Sequence, residues 1–160
     1  MFFNLNLFLP LFRLPALQSF QAVRCIGSSD TCSWDWPQGI SPVESITFEN
    51  SGLDAGSIHI LFGACRGIKK FSLGWCRFIG DMIGPKKIDW KNGNFDLSVL
   101  EAALRSQAAS LETFEFSEYY VYLNVHYNRN SPPPFTAASP LLYLTEFPHL
   151  KSAVFPEAWK

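Results

Sequence analysis

The sequence predicts an α/β solenoid, incomplete and of about five irregular turns, with parallel strands on its concave side and helices on its convex side. Three observations carry that reading. A spaced apolar pattern returns along the 160-residue chain, and the segments between its copies hold amphipathic helices with capping residues. The composition, 48% apolar with 15 phenylalanines and only 17% charged residues, supplies enough apolar surface for one continuous core.

That length fits a single domain over residues 1–160, not two independent cores. The same composition excludes a disordered tail, a collagen-like fibre and a charged linker. Thirteen basic against fourteen acidic residues give a formal charge of -1. With no global basic field, neither nucleic acid nor a membrane surface is expected as a partner.

The recurring pattern is apolar-x-x-apolar-x-apolar. It occurs as Leu17, Phe20, Ala22; as Val43, Ile46, Phe48; as Ile68, Phe71, Leu73; as Leu111, Phe114, Phe116; and as Leu150, Ala153, Phe155. The first positions lie 26, 25, 43 and 39 residues apart. The first two intervals fall within the leucine-rich-repeat period of about 20–29 residues, and the later two each hold an insertion. Cys25, Ser51, Cys76, Tyr119 and Ala158 take the ninth position, where such repeats place a side chain facing inward to satisfy turn backbone. Near the two ends of the chain, residues 11–19 and 144–152 both read L-x-x-(L/F)-P-x-L-x-S.

The spacers supply the helices. Asp54 is an N-cap, with Ile58, Leu61, Phe62 and Cys65 following on one face and Gly67 in the place of a helix C′ residue. Asp96 likewise caps a segment with Val99, Leu100, Ala103 and Leu104 on one face. Loop insertions are expected at about 28–42, 77–95 and 124–140, where Gly, Pro and Asn cluster.

The apolar stretch Met1–Phe12 lacks the basic region and cleavage site of a signal peptide and is too short to span a bilayer. It is expected to pack on the body of the domain, although it shows no capping pattern. Five residues follow Phe155, too few to close the last turn with a helix, so that edge should stay open. Cys25, Cys32, Cys65 and Cys76 are spaced by 7, 33 and 11 residues and form no CxxC pair. Reduced, mostly buried thiols are expected, in an intracellular protein of cytoplasm or nucleus.

Residues 41–75 and 96–118 resemble the leucine-rich-repeat region of fungal F-box-type proteins, and residues 144–159 resemble a later repeat of that region. The resemblance implies a solenoid that binds a protein partner, as the substrate-recognition part of a ubiquitin-ligase receptor. No F-box-like helical segment is found before the repeats, so the resemblance does not extend to cullin-adaptor binding.

Catalytic chemistry finds no support. His59, His126 and His149 are isolated, and no G-x-S-x-G, Walker A or G-x-G-x-x-G motif occurs. Glu112, Glu115 and Glu118 suggest paired carboxylates, but a solvated strand face accounts for them. Lys86, Lys87, Trp90 and Lys91 read as a solvated loop, and Pro132–Pro134 as a stiff one. The chain is expected to be no enzyme and to need no cofactor or metal. Strand alternation exposes the third, fifth, seventh and eighth positions of each repeat. Arg24, Glu49, Asn50, Lys70, Trp75, Glu115 and Glu118 are therefore the candidate partner-binding residues, with Trp75 the expected anchor. The alternatives are a truncated structural fragment without independent activity and a small hydrolase with a loop-borne nucleophile.

Overall fold

The computed structural model describes residues 3–27, 38–76, 97–119 and 144–155. In chain order these form β1 (Phe3–Asn4), β2 (Ser19–Val23), β3 (Cys25–Gly27), β4 (Ser45–Leu53), α1 (Ala55–Ala64), β5 (Lys70–Cys76), α2 (Leu97–Ser106), β6 (Thr113–Tyr119) and β7 (Ser152–Val154). Short 3-10 turns cover Leu5–Phe8, Leu11–Arg13 and Leu144–Glu146. The strands make one seven-stranded sheet in the order β1-β3-β4-β5-β6-β7, with β2 beside the first half of β4. Every strand pairing among the described residues is parallel, which makes the chain an α/β protein.

The repeat pattern sets the register. Ser19, Ser45, Lys70, Thr113 and Ser152 stand opposite one another across β2, β4, β5, β6 and β7. Each is the third position of its repeat. The fourth and sixth positions then fall on one face, where Phe20, Ile46, Phe48, Phe71, Leu73, Phe114 and Phe116 are buried. A slip of one residue would turn this whole set to solvent, so the apolar pattern is what fixes the pairing. At the second position, the carbonyls of Gln18, Glu44, Lys69 and Glu112 each accept two N–H groups from the following strand, at 2.8–3.3 Å.

The helices cover the buried face. The Asp54 carboxylate accepts the Ser57 N–H at 2.7 Å, the N-cap that the sequence implies. In α1, Ile58, Leu61 and Phe62 are fully buried, and Phe62 meets Phe71 edge-on at 4.9 Å between ring centroids. Ala55, Ser57 and Ala64 are buried as well, and α1 also packs on α2. In α2, Leu100, Ala103 and Leu104 are buried; Asp96 lies outside the described residues.

Several expectations need correction. Gly67 is no helix C′ residue: α1 ends at Ala64 with Cys65 extended, and Gly67 does not adopt a left-handed conformation. A side chain there would meet the Ser110 Cβ at 3.3 Å, so its smallness serves a close approach between neighbouring repeats. Before β4, residues 38–44 hold no helix or strand, and within them Ser41 is buried and bridges to Cys65. Residues 28–37, the expected loop 77–95 and the expected loop 124–140 lie outside the described residues. The N-terminal stretch does cap the core: Leu5 and Phe12 are fully buried, and Phe12 packs on Phe20 at 5.0 Å. β1 also adds to β3, a pairing of two residues that no periodicity could announce.

A bulge displaces the ninth position. Arg24 and Asn50, both eighth positions, have φ of 56° and 48°. The pairing shifts between Phe48 and Ser51, so Ser51 stands opposite Trp75 rather than Cys76. Cys76 is therefore not the structural equivalent of Cys25. Ser51 itself does what its position implies: its hydroxyl accepts the Cys25 N–H and donates to the Glu49 carbonyl, both at 2.9 Å.

Candidate functional site

The face of the sheet opposite the helices carries the third, fifth and seventh positions. On β2, Ser19, Gln21 and Val23 are exposed; on β4, Ser45 and Thr47 are half-buried and Glu49 is exposed. On β5, Lys70 is exposed and Ser72 half-buried; on β6, Thr113, Glu115 and Ser117 are half-buried. Gly74, expected on the surface, is buried, because it lies between Ser117 and the bulge at Glu49–Asn50 and has only backbone to show.

Two cross-strand hydrogen bonds order this face. The Gln21 amide donates to the Glu49 carboxylate at 2.8 Å, and the Ser72 hydroxyl donates to that of Glu115 at 3.4 Å. Such contacts between adjacent strands add to the stability of the sheet. Glu115 thus takes part in a cross-strand contact between β5 and β6.

The end of the face is bounded by the two left-handed residues. The Arg24 N–H donates to the Glu49 carbonyl at 2.9 Å, which brings Arg24, Glu49 and Asn50 together at one rim. Asparagine adopts this conformation readily, whereas for arginine it costs about 1–2 kcal/mol. The Arg24 side chain is exposed. Trp75 pairs through its backbone with Ser51 and Glu118, and the side chains of Trp75 and Glu118 lie outside the described residues.

Along the opposite rim runs a charge ladder that hydropathy alone does not announce. The second positions Glu44, Lys69, Glu112 and Lys151 alternate in sign across successive strands. Lys69 meets Glu44 at 2.7 Å and Lys151 meets Glu112 at 2.8 Å. The hydrogen bond and charge of Glu44 raise the Lys69 ammonium above its ordinary pKa. The hydrogen bond and charge of Lys151 lower the Glu112 carboxyl, with Lys69 and Lys70 adding to the effect. The alternating signs at equivalent positions were the available signal.

The site offers hydroxyls, carboxylates, amides and cations on a shallow surface, suited to hydrogen bonding with another chain. No group of three or more His, Cys, Asp or Glu residues among the described residues could hold a metal. His59 and His149 are exposed and stand apart; His126 lies outside the described residues. Burial pushes the Cys65 thiol up to about 12, with Ser41 opposing by a hydrogen bond, so it is no nucleophile at neutral pH.

No protein family, no curated protein and no solved structure matches this chain. No helix among the described residues is long and apolar enough to cross a membrane.

Proposed function

We propose that the chain is a leucine-rich-repeat solenoid and a protein-binding module without catalytic activity of its own, its partner lying across the polar face of the strands. The observation that carries this reading is the common register of Ser19, Ser45, Lys70, Thr113 and Ser152, which aligns polar positions of all five repeats on one surface. Stacked short strands backed by helices form extended binding surfaces in repeat proteins. The resemblance noted above further supports a role as the recognition part of a ubiquitin-ligase receptor. The buried thiols of Cys25 and Cys65 support an intracellular location.

The test is a titration with a partner identified by cross-linking. Reversing charges on the face, by Glu49→Lys together with Lys70→Glu, should abolish binding while the circular dichroism spectrum persists. Undiminished affinity sinks the assignment of the face. A pull-down with a cullin adaptor tests the ligase role separately, and a screen with ester and peptide substrates, expected to show no turnover, tests the absence of hydrolysis.

A further inference from the structure

We propose that copies of this chain associate head to tail, the outer edge of β7 in one copy adding to the outer edge of β2 in the next. The Gln18 carbonyl accepts the Ser45 N–H, and the Arg24 N–H donates to the Glu49 carbonyl. In a parallel ladder residues alternate between the two sides. Ser19, Gln21 and Val23 therefore turn their backbone N–H and C=O groups outward, where no strand pairs with them among the described residues. This stretch holds no proline, lysine or bulge, the usual protections of an edge. β1 closes the same edge further along, where Phe3 pairs with Cys25, so the open length is bounded. At the other end, the Ser152 N–H donates to the Glu112 carbonyl, which turns the N–H and C=O of Ala153 away from β6.

Three features point to a second copy as the occupant. The described strands are all parallel, so β7 of one copy extends the sheet onto β2 of another without reversal. The two ends also share a motif that folds alike. The Leu17 N–H donates to the Leu14 carbonyl at 3.3 Å, and the Leu150 N–H to the Phe147 carbonyl at 3.1 Å. The docking of the last repeat on β6 within one chain is thus a template for the first repeat docking on β7 between chains. In that template Phe147 is 5% exposed, packed on the preceding repeat, whereas the equivalent Leu14 is 48% exposed. Leu7, at 66%, and Leu11 are exposed in the same N-terminal stretch. At the other end Phe147, Leu150, Ala153 and Phe155 of the last repeat meet Leu104, Leu111 and Phe114 around a small apolar gap, so the last repeat docks through an apolar contact of the kind that Leu14 lacks. Finally, Arg13 and Glu146 hold equivalent places in the two motifs; Glu146 meets Arg105 of the preceding repeat at 3.0 Å, and stacking the first motif on the last would place Arg13 in the next place along the same row. Such a contact is heterologous and does not close on itself, so it builds chains of copies rather than symmetric pairs.

Sedimentation of the whole 160-residue chain against concentration tests this. The mass should rise beyond the 18.1 kDa of one copy in successive multiples. Gln21→Pro removes an outward N–H from β2 and Ala153→Pro removes one from β7, without touching the backbone bonds to β4 or β6; Gln21→Pro also removes the side-chain bond to Glu49. Each variant alone should remain a single copy, and an equal mixture should stop at twice 18.1 kDa, because only one intact edge of each kind remains. Leu14→Glu and Val154→Glu, both at exposed positions, carry the same test if a proline variant loses its circular dichroism spectrum. A natural chain that stays at one copy throughout, a single-end variant that associates like the natural chain, or a mixture that remains at one copy would each overturn the proposal.

Discussion

The side-chain carbonyl of Gln107 accepts the backbone N–H of Ile68 at 2.8 Å, across 39 residues of sequence. The amide of the same side chain donates to the Phe62 carbonyl at 3.0 Å. One buried polar residue thereby satisfies both the end of α1 and the approach to β5, and joins two successive repeats. Ser110 completes the junction by donating to the Ile68 carbonyl at 3.1 Å.

Gln107→Ala should therefore act well beyond its size. It leaves the buried Ile68 N–H without its acceptor, at about 1–3 kcal/mol, while the Phe62 carbonyl keeps the Cys65 N–H at 3.2 Å. A loss of about 1–3 kcal/mol, read from the urea midpoint at unchanged slope, is the expected outcome. A loss within about 0.5 kcal/mol, the range of an ordinary surface substitution, would show that water replaces the amide.

Ser51→Ala tests the corresponding link on the sheet side. The Cys25 N–H loses its acceptor in a site where Ser51 is fully buried. The expected cost is about 1–3 kcal/mol. Hydrogen exchange at the Cys25 amide should accelerate more than at Phe20, which would separate a local opening from general destabilisation.

The charge ladder makes stability depend on pH at both extremes. The Glu112 carboxyl is lowered from 4.5, so its contribution is complete above that value and lost as pH falls through the lower folded pKa. The Lys69 ammonium is raised from 10.5, so its contribution is complete below that value and lost as pH rises through the higher folded pKa. Both pairs are solvent-exposed, so each effect should be small and should shrink with added salt. Lys151→Ala should bring the Glu112 titration back toward 4.5, followed by the carbon shift of its carboxyl. An unmoved titration would mean that the pair at 2.8 Å is not held in solution.

The strands were legible because their information is local and periodic. The spacing of Val43, Ile46, Phe48 and of Ile68, Phe71, Leu73 determines both the buried face and the register of β4 on β5. Asp54 was legible for the same reason, its partner being three residues away. Gln107 was not, since nothing near it in sequence marks Phe62 or Ile68 as partners. The bulge was hidden too: Asn50 accommodates a left-handed conformation readily, but Arg24 gives no such signal. On the candidate face, alternation placed Glu49, Lys70 and Glu115 correctly, while the bonds from Gln21 and Ser72 depend on neighbours brought in by pairing.

All cysteines are expected to be thiols in the native protein. With the Cys65 pKa pushed to about 12, alkylation at pH near 8 should leave it unmodified until the chain unfolds. Mass spectrometry of the native and the denatured protein, with and without reductant, checks both statements. A disulfide at Cys65, or its rapid labelling in the folded state, would contradict the packing around Ser41.

The N-terminal stretch should behave as part of the core rather than as an appendage. Phe12 is fully buried and meets Phe20 at 5.0 Å, and Phe20 in turn meets Phe8 at 5.3 Å and Phe48 at 5.8 Å. Phe8 and Phe12, carried by the two short 3-10 turns, cover β2, which no earlier α-helix among the described residues shields. Removing the ring by Phe12→Ala costs the transfer energy and leaves a cavity, together about 3–5 kcal/mol. For a chain of this size each kcal/mol lowers the midpoint by about 2–4 °C, so a fall of about 10 °C is expected in thermal unfolding. Leu7, though equally apolar, is 66% exposed, so Leu7→Ala should stay within about 0.5 kcal/mol of the natural chain. Equal effects of the two substitutions would mean that burial of Phe12 does not hold the first repeat together.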